Sequence, residues 1–488
     1  MPQAPATVPA PRTAAETAPA IGAADVDALR SRVHGPVYAA GDEGLAAEVF
    51  AWNLAVTHTP AVAVGATCAA DVAAAVSWAV EHGRTVAVQA TGHGPVRNAD
   101  GAVLVTTRRM QGVSIDPVRR TARVEAGVTW EKVLAAAAEH GLTGLCGSSS
   151  GVGVVGYTLG GGVGSLGRKF GFAADHLLSV DLVTADGALR TVSADTEPDL
   201  FFAVRGGKGN VGIVTSVEFE LVPVSTLVGG GLFFDAADAP ALLHAFRTWA
   251  PALPEEASTS IAVLRLPPAE ELPGPVRGRT VVHLRYAYCG DDLAEGERLV
   301  EPMRGAGRAL LGGIGPMPTT AMDAIHMDPR DPMPGWEKGM LLAELPAEAV
   351  DAFLAAAGPQ VDVPLVMAEI RLMGGALARQ PRVPSAVAGR DAAFSVLVLG
   401  PAVPELAEVL PQVGRGVLAA LAPWAAPGCM VNFLGEVSGP AEVAAAYPPA
   451  VAERLLAVKA AVDPTGVFSH GYALDPAAPA PAVPAGRA

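Results

Sequence analysis

Charge is scarce in this sequence. Asp, Glu, Lys and Arg make up 17% of its 488 residues, and the 49 acids outnumber the 34 lysines and arginines to leave a net charge of −15. Nucleic-acid backbones and anionic membrane surfaces both call for clustered Lys and Arg, so this balance excludes them and points to a small-molecule partner. Cysteine is as sparse. Cys68, Cys146, Cys289 and Cys429 lie far apart with no CxxC pair, which indicates neither a disulfide framework nor a zinc site. They read as small apolar packers in a reducing compartment, and no metal is expected. The opening MPQAPATVPAPRTAAETAPA lacks both the basic start and the apolar stretch of a secretion signal. The expectation is a disordered Pro/Ala-rich tail over 1–24, a second over 476–488, and a cytoplasmic protein. No GxxxxGK[ST] motif is present, so P-loop chemistry is unsupported.

What is present is apolar and periodic. Half of the residues are hydrophobic, enough to fill two or more lobes. TPAVAVGA (59–66), CAADVAAAVSWAVEHG (68–83) and TVAVQATG (85–92) predict a strand, an amphipathic helix stopped by Gly83, and a second strand. GAVLVTT and TARVEAGV continue the strands, and TWEKVLAAAAEHG (129–141) predicts a helix between Thr129 and Gly141. SVDLVTADGALRTVSA reads as a hairpin turning at Asp186-Gly187. From about Ser225, strands such as TSIAVLRL, TVVHLRYAY, PLVMAEIRLM and FSVLVLG alternate irregularly with helices, which predicts an antiparallel sheet covered on one face. Near Met430, MVNFLGE predicts a strand and PPAVAERLLAVKAAVDPTGVF a helix ended by Asp463-Pro464.

The distinctive segment runs from Gly141 to Gly167: 27 residues without one Asp, Glu, Lys or Arg, of which 11 are glycine. Each glycine costs a helix about 1 kcal/mol relative to Ala, so a membrane span is excluded. Two GxGxxG matches, at 162–167 and 207–212, lack the strand-before, helix-after context of a dinucleotide fingerprint. What remains is a large cofactor laid along exposed backbone, whose amides are free to donate where no side chain intervenes.

TGHGPVRNADGAVLV, TARVEAGVTWEKV, VGVVGYTLGGGVGSLGRKFGFAADHLLSVDLVTADG, DLFFAVRGGKGNVGIVTSVEFELVP and ERLLAVKAAVDPTGVF together resemble the FAD-linked oxidases of the vanillyl-alcohol-oxidase/PCMH superfamily, berberine-bridge-enzyme-like branch. The resemblance spans about residues 25–475, and the relatives it suggests are bacterial oxidases of natural-product biosynthesis. It implies an α+β fold with two lobes. An FAD-binding domain over 25–224 would be completed by the C-terminal segment 429–475, around an inserted substrate domain over 225–428 built on an antiparallel sheet.

By the same resemblance, the loop Ala90-Thr91-Gly92-His93-Gly94 holds the FAD pyrophosphate, and His93 is the covalent attachment point of FAD. Ser149, Val152, Gly153, Gly156, Gly160, Gly161, Gly162, Gly164, Gly212, Ile213, Val214 and Asn432 are implied as cofactor-binding positions. Many relatives carry a second, cysteinyl bond to the flavin; the corresponding residue here is Ser149, with Cys146 three places early, so a single bond is expected. Val152 stands where relatives gate oxygen access, and valine there implies an oxidase. Relatives that use a C-terminal tyrosine as base have Phe433 here, leaving Tyr157, Tyr286 and Tyr288 as secondary candidates. Lys208, where relatives more often have glycine, would touch the adenosine side of FAD or point into water.

Glu369 and Arg371 are two apart on a predicted strand and therefore share a face. Glu369 is the expected base, with a carboxyl raised by an apolar setting, and Arg371 the group holding it or polarising the substrate. The expected activity is hydride removal from an alcohol, hydroxy-ketone or amine carbon, with molecular oxygen as the second substrate and hydrogen peroxide as product. An oxidative cyclase or oxygenating flavoenzyme is the alternative enzyme, and a flavin-containing drug-sequestering resistance protein the alternative outside catalysis. Apolar runs such as LLHAFRTWAPAL and LLAELPAEAV suggest a bulky, partly hydrophobic substrate.

Overall fold

Three sheets follow one another along the chain. The computed structural model describes residues 21–94 and 97–477; the expected tails over 1–20 and 478–488 lie outside them. The helix Ala23–Arg30 starts inside the span expected to be disordered, because Val26 and Leu29 bury themselves beside Trp78, whose indole nitrogen donates to the Asp25 carbonyl at 3.1 Å.

The first sheet comprises β1 (Val37–Ala39), β2 (Val62–Gly65), β3 (Val86–Gln89) and β4 (Val103–Thr106) in the order β1-β2-β4-β3. β2 and β3 both run parallel to β4, and the helix Ala69–Glu81 crosses between them. Val62 and Val64 share one face and are fully buried against that helix. The second sheet is antiparallel: β5 (Val113–Asp116), β6 (Thr121–Glu125), β7 (Leu177–Val183), β8 (Leu189–Ser193) and β9 (Ile213–Glu220), ordered β5-β6-β9-β7-β8. Gly187, at φ +75°, makes the expected turn between β7 and β8.

The third sheet has seven antiparallel strands: β10 (Thr226–Asp235), β11 (Ala257–Arg265), β12 (Thr280–Tyr288), β13 (Ala309–Pro318), β14 (Gly335–Leu342), β15 (Met367–Leu372) and β16 (Phe394–Pro401), ordered β13-β10-β12-β11-β15-β16-β14. Helices Ala239–Trp249, Ala347–Ala357 and Val409–Ala420 cover one face. Most of the apolar runs taken as a sign of a bulky substrate lie there: Leu242, Leu243, Phe246, Leu342 and Val350 belong to the core behind the sheet.

The last segment returns to the first lobe. Val431, Val443, Tyr447 and Leu455 join the core of the second sheet. Asn210 donates to the Tyr472 carbonyl and accepts from the Leu474 amide. MVNFLGE is not a strand: Val431–Phe433 form a single 3-10 turn, in which the Phe433 amide donates to the Met430 carbonyl while the Asn432 side chain reaches across to Tyr157. Among the described residues, no helix is long and apolar enough to cross a membrane.

Candidate active site

The loop leaving β3 is held by its backbone. Trp52 and Asn53 amides donate to the Thr91 and Gly92 carbonyls at 3.0 and 2.9 Å. Gly92 has φ +75°, and a Cβ there would stand 2.7 Å from the Ala51 Cα, so only glycine fits. The His93 ring stacks on Trp52 with centroids 4.5 Å apart, and its Nδ1 shares a hydrogen bond with the Thr91 hydroxyl at 2.8 Å. Burial lowers the imidazole pKa to about 4. His93 is therefore a neutral ring of fixed orientation, with Gly94 open beside it.

The glycine-rich segment meets this loop. A Cβ on Gly153 would lie 3.6 Å from Ala90 and 3.7 Å from Thr91. From there the short helix Val154–Leu159 leads to Gly160, with Gly156 exposed along it and open space where its side chain would be. Gly160 ends at the Asn432 turn: a Cβ would fall 2.0 Å from the Asn432 Oδ1 and 2.6 Å from the Lys208 Cε. Gly161 and Gly162 have positive φ, and the Tyr157 ring fills the place of a Gly162 side chain. Gly164 packs its bare Cα against the Cys146 carbonyl. Val152 accepts from the Trp130 amide, and the Ser149 carbonyl accepts from the Cys146 thiol, which burial keeps protonated. Gly212 immediately precedes β9, where the Ile213 and Val214 side chains are buried in the cores, leaving only their backbone for a ligand.

Above Asn432 stands the face of the third sheet that the helices do not cover. Register places Met367, Glu369 and Arg371 of β15 beside Ala262 and Ser260 of β11, and these beside His283 and Arg285 of β12. Because β11 carries small residues here, long side chains from β12 and β15 meet over it. Arg285 donates to Glu369 at 2.9 Å, and Arg371 Nη2 reaches both Glu369 oxygens at 3.2 Å. Burial alone would raise the Glu369 carboxyl, but the charges of Arg371 and Arg285 hold it down at about 2. The shared face of Glu369 and Arg371 is present, whereas the raised carboxyl is not. Arg371 also stacks over the Phe433 ring at 5.6 Å.

A carboxyl that does rise lies at the other end of the same face. Glu337 on β14 pairs through Leu399 with Met367, and burial lifts it to about 7 despite the neighbouring Lys208 charge. Lys208 in turn is lowered by burial to about 8. Its Nζ donates to the Gly156 carbonyl at 3.0 Å. Glu337 escaped the sequence reading, and the available signal was a glutamate interrupting the strand GWEKGMLL. The tyrosine candidates are poor bases, since burial raises Tyr157, Tyr286 and Tyr288.

A family profile described as an FAD binding domain matches residues 60–193. (R)-6-hydroxynicotine oxidase of Paenarthrobacter nicotinovorans is 30% identical over 485 residues, covering 91% of this chain and 97% of the relative. The chain belongs to the FAD-linked oxidases of the VAO/PCMH superfamily. The solved 6-hydroxy-D-nicotine oxidase from Arthrobacter nicotinovorans superposes with a TM-score of 0.79 at 28% identity, over 91% of this chain and 98% of that one. Xylooligosaccharide oxidase from Myceliophthora thermophila C1, at 22% identity and TM-score 0.79 over 93% and 100%, shares the fold.

The residues of this flavoenzyme fit FAD. Gly94 and Gly156 leave free space beside the backbone, and the buried Tyr157 hydroxyl has no protein partner. Both features suit a large polar ligand lying along the chain. Among the described residues, His34, Cys68 and Asp71 alone group in a metal-like way. The Asp71 oxygens are already engaged by Thr67, His34 and Gly35, bracing a turn.

Proposed function

We propose that this protein is an FAD-dependent oxidase that removes a hydride from a carbon bearing a hydroxyl or amine in a small metabolite, with oxygen reduced to hydrogen peroxide. The flavin is bonded through His93 alone, on a unit formed by 25–224 and 429–475, and the substrate is presented by 225–428. The observation that supports this best is convergence. The His93 loop meets Gly153, Gly160 meets Asn432 and Lys208, and Phe433 meets Arg371, so the glycine-rich backbone and the polar sheet face border one cleft. Bound FAD supplies a hydride acceptor that oxygen can reoxidise. A neutral His93 has a ring nitrogen lone pair for the covalent bond, and Trp52 fixes its plane.

The chain's own task is to take the proton that leaves the substrate O–H or N–H. An ionised carboxyl at about 2 is too weak a base for this, whereas one near 7 is matched to neutral pH. Glu337 is accordingly the proton acceptor, with Lys208 setting its charge state. Glu369 becomes a positioning residue for Arg371, which orients the substrate. The test is direct: protein precipitated in acid should stay yellow, the colour should be lost in His93→Ala, and peroxide should appear with candidate alcohols or amines. Colour that washes out of the wild-type protein would remove the covalent assignment.

A further inference from the structure

Between the lobes, beyond Arg371, lies a narrow cleft with about 20 Å³ of room for the centre of a water-sized group, lined in part by Arg168, Arg285, His326, Arg371, Ser258 and Ser165. That is room for about one water molecule or the polar head of a ligand. Its chemistry is one-sided. No Asp or Glu is among its lining residues, although the whole chain carries a net charge of −15. Glu369, just behind the lining, is shared by two guanidiniums, Arg285 and Arg371. One carboxylate against two arginines leaves one positive charge uncompensated, and both arginines are largely buried, with side chains 3% and 12% exposed. His283 and His326 add no charge, since burial and the arginines push both well towards the neutral form.

The donors are also incompletely used. Arg371 spends only Nη2 on Glu369. His326 Nδ1, Arg168 Nε and the Ser165 hydroxyl are buried without a partner. A buried charge without a counter-charge and buried polar atoms without partners are both costly, and a ligand that supplies both removes the two costs together. Arg168 is tied to the Ala257 and Leu253 carbonyls, so Arg371 presents the free guanidinium edge.

We propose that this cleft recognises a carboxylate on the substrate, gripped by Arg371 with His326 and Ser165 completing its hydrogen bonds. The inference rests on the reading of the cleft as the place where substrate meets FAD, and it narrows the substrate to acids carrying an oxidisable C–H. A planar carboxylate matches the fork of an arginine, and charge-assisted bonds of this kind are about twice as strong as neutral ones.

The test uses the purified holoprotein and two probes of one shape, benzoate and benzamide, titrated by calorimetry at constant ionic strength. Benzoate should bind at least about tenfold more tightly than benzamide, as expected for charge-assisted over neutral bonds. Arg371→Gln should bring benzoate down to the level of benzamide, and Ser258→Phe, which fills the cleft from β11, should weaken both. Equal binding of the two probes, binding of neither at millimolar concentration, or benzoate binding unchanged in a folded Arg371→Gln overturns the proposal. The comparison of probes needs no variant, so it stands even where a substitution prevents folding. A protein that is colourless but still selects benzoate would retire the flavin assignment and keep the anion site; a yellow, peroxide-producing protein that ignores charge would do the reverse.

Discussion

Glu337 and Glu369 share a sheet face but are pushed in opposite directions, because one faces a single lysine and the other two arginines. The consequence can be read kinetically. The rate of flavin reduction should rise with pH through about 7 as Glu337 loses its proton, with stopped-flow absorbance as the measurement. Lys208→Met should move that limb to higher pH, since the lysine charge is what opposes the effect of burial on Glu337. Glu337→Gln should lower the rate by about 10²–10⁴-fold, the usual weight of a general base, and a loss equally large in Glu369→Gln alone would reverse the assignment. Stability follows the same sign. A carboxyl raised from 4.5 to about 7 on folding contributes most below pH 4.5 and loses that contribution as pH climbs through 7. Glu337→Gln should therefore melt higher than the parent above pH 7, by about 2 °C or more.

Regular elements were legible wherever period and punctuation agreed. Ala69–Glu81 and Trp130–Ala138 match their predicted helices, and β7 and β8 their predicted hairpin, because apolar spacing and the terminal glycines point the same way. β10 and β13 were not legible: TLVGGGLFFD and ALLGGIGPMP hide strands behind glycines that allow two backbones to approach, as where Gly230 meets the Gly313 carbonyl. MVNFLGE misled for a complementary reason: its β-type composition serves burial around Asn432 and not pairing. The Gly160 to Asn432 contact is testable at this scale. Gly160→Ala would put a methyl where the Asn432 oxygen sits, so it should destabilise the fold by about 1–3 kcal/mol, as overpacking does. It should also reduce flavin content, read as the ratio of visible to ultraviolet absorbance.

Across the whole molecule, hydrogen bonds tie the two lobes together at several places. Asn53 exchanges two hydrogen bonds of 2.9 Å with Gly335, Trp52 donates to the Arg330 carbonyl, and Ser150 donates twice to Asp323. Trp52 and Asn53 also hold the His93 loop, so the lobe carrying the third sheet steadies His93. Asn53→Ala should cost about 1–3 kcal/mol in thermal unfolding and lower the fraction of colour surviving acid precipitation, though it lies outside the chemistry. The antiparallel third sheet was readable from segment order, and the α+β class from the family resemblance. The electrostatic setting of the cleft was not, since Arg285 and Glu369 stand 84 residues apart and only register brings them together.

The narrow strip of serine and alanine on β11 has a last implication. Reacting groups supplied by alternate positions of adjacent strands can be exchanged one at a time while the helices behind them stay packed. A new appetite for substrates could thus be acquired by swapping what grows beside that strip, with the scaffold and its pigment left alone.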